Sequence, residues 1–171
     1  MTDFSQTITD WQTFYLLTGT AAATLIGLLF IAISINTDIF HGKSRLDLRH
    51  FAGLTFNCFF YALVVSLLFL MPGLTPLGLG LPLLLIAGAG LANTVIQQRR
   101  ARRAEAGRGD IRIASRFTIP ILCLSGLVII AASVIMQITQ SLYGVVAVVI
   151  FLLGSAAVNA WTLLMRAGGE A

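Results

Sequence analysis

The chain of 171 residues is 57% hydrophobic and only 11% charged, whereas an ordinary soluble domain has about 25% charged residues. This composition excludes an ordinary soluble domain and indicates an integral membrane protein. The formal net charge is +4, from 11 basic and 7 acidic residues, and the basic residues are concentrated between the apolar stretches.

Three long stretches of the chain carry no charge: Trp11 to Thr37, Phe51 to Gln98, and Phe117 to Met165. A membrane-spanning helix needs about 20 apolar residues, so the first stretch holds one span and each of the others holds two. The sequence therefore predicts an all-α polytopic bundle, a single membrane domain over residues 1–171. Its five predicted spans are 12–36, 50–71, 78–98, 117–138 and 143–165.

The first predicted helix carries a stripe of hydroxyl and small residues at alternating steps of four and three. The stripe consists of Thr13, Leu17, Thr20, Thr24, Gly27, Ile31, Ser34 and Asp38. One interpretation is close helix packing, because Gly19, Ala23 and Gly27 form a small-xxx-small series. The other is a polar pore or cavity lined by the stripe, with Leu17 and Ile31 as apolar constrictions.

The same helix contains the stretch WQTFYLLTGTAAATLIGLLFIAISIN, residues 11–36. Its Trp, aromatic, Gly, Ala-Ala and Gly-Leu-Leu-Phe pattern resembles the first helix of a family of small, uncharacterised bacterial integral membrane proteins. The resemblance implies a multi-pass protein of the bacterial inner membrane. It implies no activity and no functional residues.

Helix breakers and caps predict where the second to fifth helices begin and end. Ser44, with Asp47 three residues on, predicts a helix that begins at Arg45. The segment MPGLTPLGLGLP separates the second helix from the third, because it places Pro72, Gly73, Pro76 and Pro82 within eleven residues. Ser141 is the predicted N-cap of the last helix.

The third helix is predicted to continue to about Ala106, where Gly107 and Gly109 end it. Asp110 is the predicted cap of the fourth helix. Pro120, inside that helix, predicts a kink.

Seven arginines lie in the segment 99–116: Arg99, Arg100, Arg102, Arg103, Arg108, Arg112 and Arg116. With five spans, all 11 basic residues of the chain fall on one side, which predicts an outside N-terminus, a cytoplasmic C-terminus and a basic cytoplasmic loop. Contact with anionic lipid headgroups is expected to accompany this topological role. Nucleic-acid binding is not expected, because no aromatic residues are interleaved for base stacking.

No Asp, Glu, Lys, Arg or His lies in the middle of any predicted span. This argues against proton relays, ion-coupled pumps and intramembrane hydrolases, which depend on such residues. Cys58 and Cys123 are predicted to be buried thiols, and His41 and His50 to be solvated or in contact with headgroups. We expect no catalysis, no cofactor and no metal.

Asn57, Asn93 and Asn159 need partners within protein or in a wet cavity, because an unpaired amide in hydrocarbon is costly. Asn93 and Asn159 coincide when the chain is shifted by 66 residues. One interpretation is a duplicated hairpin; the other is chance, because a handful of matches is expected in so biased a composition. The shift also aligns Phe51 with Phe117, Thr75 with Ser141, Gly78 with Gly144, Gly88 with Gly154 and Arg100 with Arg166.

Three functional hypotheses follow, from different classes. The first is a homo-oligomeric channel or passive conduit lined by the first helix. The alternative is a non-catalytic accessory or scaffold subunit. The third is a lipid-modifying enzyme that uses Asp38, His41, Asp47 and His50 beside the basic surface.

Overall fold

The computed structural model describes residues 4–35, 46–105 and 118–168, which are helical apart from two short connections. Five helices are each long and apolar enough to cross a membrane, which confirms the all-α prediction. They are α1 (Phe4–Ile35), α2 (Leu46–Phe69), α3 (Pro76–Glu105), α4 (Thr118–Ile135) and α5 (Leu142–Gly168), with a 3-10 turn at Thr139–Ser141.

Helices that follow one another in the chain run in opposite directions. Along α1 and α2 the contacts run in opposite order, since Tyr15 stacks on Phe69 whereas Phe30 contacts Phe56. The first turns of α3 lie against the end of α4, because a Cβ on Gly80 would come within 2.6 Å of Ile135 Cγ1. Therefore α1, α3 and α5 finish at the same end of the bundle, where α2 and α4 begin.

We call this the basic end, because every Lys and Arg of the chain lies near it in sequence: in the segments between α1 and α2 or between α3 and α4, in the helical turns that adjoin these segments, or, for Arg166, in the last turn of α5. In sequence, the parts of the chain toward the opposite end contain only Asp3 and Asp10 among the formally charged side chains. Alternating helix direction thus gathers the positive charge on one side of the bundle.

The core is packed around α2, which contacts α1, α5 and α3. Half of the apolar window of α2 is buried, against 22% of that of α1. Large apolar side chains fill the interior, including Phe59, Leu83 and Leu124. Because lipid is as apolar as these residues, van der Waals fit rather than the hydrophobic effect holds such helices together.

Local sequence explains the connection between α2 and α3. Gly73 adopts a φ of +68°, a conformation that a residue without a Cβ reaches easily. Thr75 caps α3, since its Oγ1 accepts a hydrogen bond from the Gly78 amide at 3.0 Å. Pro76 is the first residue of α3, as expected, whereas Pro82 lies inside the helix.

Ser141 occupies the predicted position directly before α5. Its hydroxyl donates to the Ile138 carbonyl at 2.7 Å. This hydrogen bond therefore joins Ser141 to the connection before α5 and not to the first turn of the helix. The turn before it has a non-glycine residue at positive φ, Gln137 at 63°.

The helix bounds predicted near the basic end are close to the observed bounds where the two can be compared. Helix α2 begins one residue after Arg45, and α3 continues to Glu105. The kink at Pro120 stays a prediction, because the described part of α4 begins only two residues earlier. Several predicted features lie outside the described residues: Asp38, His41, Ser44, Gly107, Arg108, Gly109, Asp110, Arg112 and Arg116.

The helix bounds agree with the 66-residue shift. The last residues of α2 and α4 are 66 apart, and so are the first residues of α3 and α5. Buried positions also coincide under the shift, in the pairs Leu54 and Pro120, Cys58 and Leu124, Tyr61 and Leu127, and Val65 and Ala131. Other positions differ under the shift: the described ends of α3 and α5 are 63 residues apart, and Ser66 is buried whereas Ala132 is exposed. The duplicated hairpin therefore stays a prediction, and α1 has no counterpart among the described helices.

Candidate functional site

The stripe of α1 faces away from the rest of the bundle. Every stripe residue that the structure describes is exposed: Thr13, Leu17, Thr20, Thr24, Gly27, Ile31 and Ser34. The two proposed constrictions are among the most open apolar side chains, with Leu17 exposed by 70% and Ile31 by 56%. We call this surface the outer face of α1.

The opposite face of α1 makes the contacts with α2. Tyr15 is buried and stacks on Phe69 with ring centroids 4.2 Å apart. A Cβ on Gly19 would come within 3.1 Å of Ser66 Cβ, so this glycine permits close approach of the two helices. Of the predicted small-xxx-small series, Gly19 packs within the chain, whereas Ala23 and Gly27 belong to the exposed side.

Two hydroxyls of the outer face, those of Thr20 and Thr24, are bonded within their own helix. Thr20 Oγ1 donates to the Leu16 carbonyl at 2.8 Å, and Thr24 Oγ1 donates to the Thr20 carbonyl at 2.9 Å. Such i−4 bonds satisfy the hydroxyl proton without water or a partner chain. The hydroxyl protons of Thr20 and Thr24 are therefore already used within α1.

The stripe cannot line a path inside one protomer. It lies on the bundle surface, and the interior beside α1 is filled by Tyr15, Phe59 and Phe69, each exposed by 2% or less. Any conduit lined by the stripe would have to lie between several chains.

A second feature is a cleft of about 470 Å³ between the start of α4 and the second half of α5. Its lining is Ile119 of α4 with Ile150, Phe151, Gly154, Ser155, Val158 and Asn159 of α5. Asn159 is only 5% exposed, whereas Phe151 and Val158 are both 65% exposed. A Cβ on Gly154 would meet no atom within 4 Å, so this glycine leaves the cleft open.

The three asparagines have different surroundings. Asn57 is half-buried, Asn93 is exposed, and Asn159 is buried. The Asn93 Oδ1 accepts a hydrogen bond from Gln97 Nε2 at 3.3 Å. The sequence predicted that Asn159 would face protein or a cavity, but it did not predict the cleft; the small residues Gly154 and Ser155 one turn earlier were the available signal.

The basic residues of α3 lie at and beyond the end of its apolar span, Pro76–Arg99. Arg99 is exposed, and Arg100, Arg102 and Arg103 occupy the last turns of the helix. Positive charge there is favourable, because the helix dipole places partial negative charge at the C-terminal end.

Residues that could ligate a metal ion are not clustered in the part of the chain that the structure describes. There, no three or more His, Cys, Asp or Glu residues are grouped so that they could hold a metal ion. Cys58 and Cys123 are both buried and both free thiols. The side chains of Asp47 and His50 lie outside the described set. No described arrangement of side chains therefore supports the enzyme hypothesis.

No family model, no curated protein and no solved structure matches this chain.

Proposed function

We propose that the protein is a non-catalytic integral membrane subunit that assembles with further copies of itself through the outer face of α1. The observation that carries this proposal is the low burial of α1, whose apolar window is 22% buried, the smallest fraction among the five spans. A helix so little covered by its own chain has most of its surface available to another helix.

The chemistry of the outer face supports helix packing over a water-filled path. Its small residues would let a second backbone approach closely, as small-xxx-small surfaces do. The hydroxyls of Thr20 and Thr24 need no water, since both donate to carbonyls of α1. Scaffolding by helix contact is therefore favoured over conduction.

The proposal includes an orientation: the N-terminus lies outside and the basic end lies in the cytoplasm, in a bacterial inner membrane. It is supported by the gathering of all 11 basic residues near one end of the bundle. The resemblance of residues 11–36 to the first helix of small bacterial membrane proteins supports the choice of membrane.

Cross-linking in native membranes tests the assembly. In a Cys58→Ser, Cys123→Ser background, Thr24→Cys should give disulfide-linked dimers after mild oxidation. Leu85→Cys is the matched control, because Leu85 is 69% exposed near the middle of α3 and outside the proposed contact. Equal cross-linking of the two variants, or none at Thr24, would exclude this interface.

A second variant tests the same contact without disturbing the protomer. A Cβ on Gly27 would meet no atom within 4 Å, so Gly27→Leu leaves the packing of the chain intact while it adds bulk to the outer face. We expect the apparent dissociation constant of the oligomer in detergent to rise about tenfold, or about 1.4 kcal/mol. Gly88→Leu, at another glycine with open space around its Cβ, should change nothing.

A passive conduit is the second candidate. It is favoured by one observation, the alignment of exposed Thr20, Thr24 and Ser34 on the same face as Ile31. If copies of α1 surround a common axis, Ile31 would form the apolar constriction. Ile31→Ser should then raise ion flux into liposomes. Unchanged flux in an intact oligomer would leave the scaffold as the function.

A further inference from the structure

The cleft beside α5 spans the depth of one membrane leaflet. Its α5 lining runs from Ile150 to Asn159, which is about 14 Å at 1.5 Å per residue. The hydrocarbon core of a bilayer is about 30 Å thick, so one leaflet contributes about 15 Å. The apolar span of α5 is Leu142–Leu163, which places Ile150 near its middle and Asn159 one turn before its end.

The cleft also has a polarity gradient along this depth. Its inner part is lined by Ile150 and Phe151, while the buried Asn159 lies at the part closest to the basic end. A phospholipid in that leaflet has the same order, with the chain end at the bilayer centre and the polar ester groups near the surface. The polar and apolar parts of the cleft therefore match those of a single lipid.

Basic residues lie beyond the polar part of the cleft, toward the basic end. Position 166, an arginine, lies two helical turns beyond Asn159 on the same side of α5, within the last residues of the helix. The exposed Arg99 lies at the same end of the bundle, because α3 and α5 finish together. A basic residue near the membrane surface attracts an anionic headgroup.

We propose that this cleft holds one acyl chain of an anionic phospholipid from the leaflet at the basic end, with Asn159 beside the ester groups and the phosphate toward the basic end. The proposal rests on insertion of the five helices in a bilayer and is independent of assembly through α1. Gly154 is the residue that keeps the cleft open.

Native mass spectrometry of the protein released from vesicles tests this assignment. The vesicles contain phosphatidylcholine and phosphatidylglycerol, and the variant Gly154→Leu places a side chain in the cleft. We expect the wild type to retain one phosphatidylglycerol per chain, and Gly154→Leu to retain about tenfold less, which corresponds to about 1.4 kcal/mol. The matched control is Gly88→Leu, at the position that the 66-residue shift aligns with Gly154 and likewise with no atom within 4 Å of a Cβ.

Equal retention by Gly154→Leu and Gly88→Leu would overturn the proposal. Retention of phosphatidylcholine as strongly as phosphatidylglycerol would overturn the anionic preference. These results do not depend on the oligomer, because Gly27→Leu, which acts on the outer face of α1, should leave lipid retention unchanged.

A measurement on the unaltered protein guards against misfolding of Gly154→Leu. Phosphatidylglycerol with a photoactivatable group in its acyl chain should label residues 150–158 of α5 at least about tenfold more than residues 84–92 of α3. Equal labelling of these two segments, which the shift aligns, would contradict a specific cleft.

Discussion

Single residues decide how closely the helices approach. A Cβ on Gly90 would come within 2.9 Å of the Tyr61 ring, which is itself buried, whereas a Cβ on Gly88 would meet nothing within 4 Å. These two glycines lie two residues apart on α3, but of the two only Gly90 is needed for packing against α2.

Gly90→Ala should therefore destabilise the protein by about 1–3 kcal/mol, the usual cost of overpacking a filled interior. Gly88→Ala should be neutral or slightly stabilising, since alanine is the better helix former by about 1 kcal/mol. Reversible unfolding in mixed micelles measures both variants. A loss at Gly88 as large as that at Gly90 would contradict the packing shown for these positions.

A buried side-chain hydrogen bond between helices joins Thr18 of α1 and Ser66 of α2, at 3.0 Å. Thr18 also donates toward the Phe14 and Tyr15 carbonyls of its own helix, at 3.0 and 3.2 Å. The Thr18 hydroxyl thus has alternative acceptors within α1. This limits the stability that its hydrogen bond with Ser66 of α2 can contribute.

Thr18→Val should cost about 0.6 kcal/mol, the average for hydrogen bonds between membrane helices. The matched variant Thr20→Val removes a hydroxyl on the exposed face and should cost less. Unfolding free energies in the same micelles compare them. If Thr20→Val proved the more costly, the assignment of inner and outer faces would be wrong.

At the scale of whole helices, α3 differs from the others in its basic C-terminal extension. Its 30 residues would measure about 45 Å, which exceeds the hydrocarbon core of about 30 Å. The last turns, with Arg99, Arg100, Arg102 and Arg103, therefore lie past the apolar span. The extension can act both as an orientation signal and as a lipid-facing charge.

Replacing these four arginines by Gln should reduce the fraction of correctly inserted protein and weaken association with anionic vesicles. The physical reason is that segments rich in Lys and Arg stay on the cytoplasmic side, and the substitutions remove this positive charge. Protease protection of the inserted chain and vesicle flotation measure the two effects. Tight, salt-resistant binding of nucleic acid by the wild-type protein would contradict the role of these arginines in orientation and lipid contact.

At the scale of the molecule, α1 packs against α2, and the helix bounds at the turns of the two hairpins, α2–α3 and α4–α5, coincide under the 66-residue shift. If they are related by an axis along the membrane normal, both present their connections on the same side. This arrangement agrees with the placement of basic residues near the other end. The axis itself stays a prediction.

Cysteine labelling tests the orientation of the whole bundle. In the background without Cys58 and Cys123, Ser5→Cys should react with an impermeant maleimide from outside intact cells. Gly107→Cys should react only after permeabilisation, because the basic side is expected to be cytoplasmic. The reverse pattern would invert the proposed topology.

The sequence by itself determined the number of helices and most of their bounds. These depend on local signals: uncharged stretches of spanning length, and breakers such as Pro72 and Gly73. Thr75 lies within the breaker segment MPGLTPLGLGLP, and the structure shows this residue capping α3. Such features need no knowledge of which helices are neighbours.

Only the tertiary structure decided which side of each helix faces the protein. In a soluble helix, polar residues mark the outward side, but in a membrane both protein and lipid are apolar, so this contrast is lost. Small residues suit either surface: Gly19 packs against Ser66, whereas Gly27 of the same series is exposed. The outward direction of the α1 stripe and the cleft beside Asn159 therefore depended on the packing of all five helices.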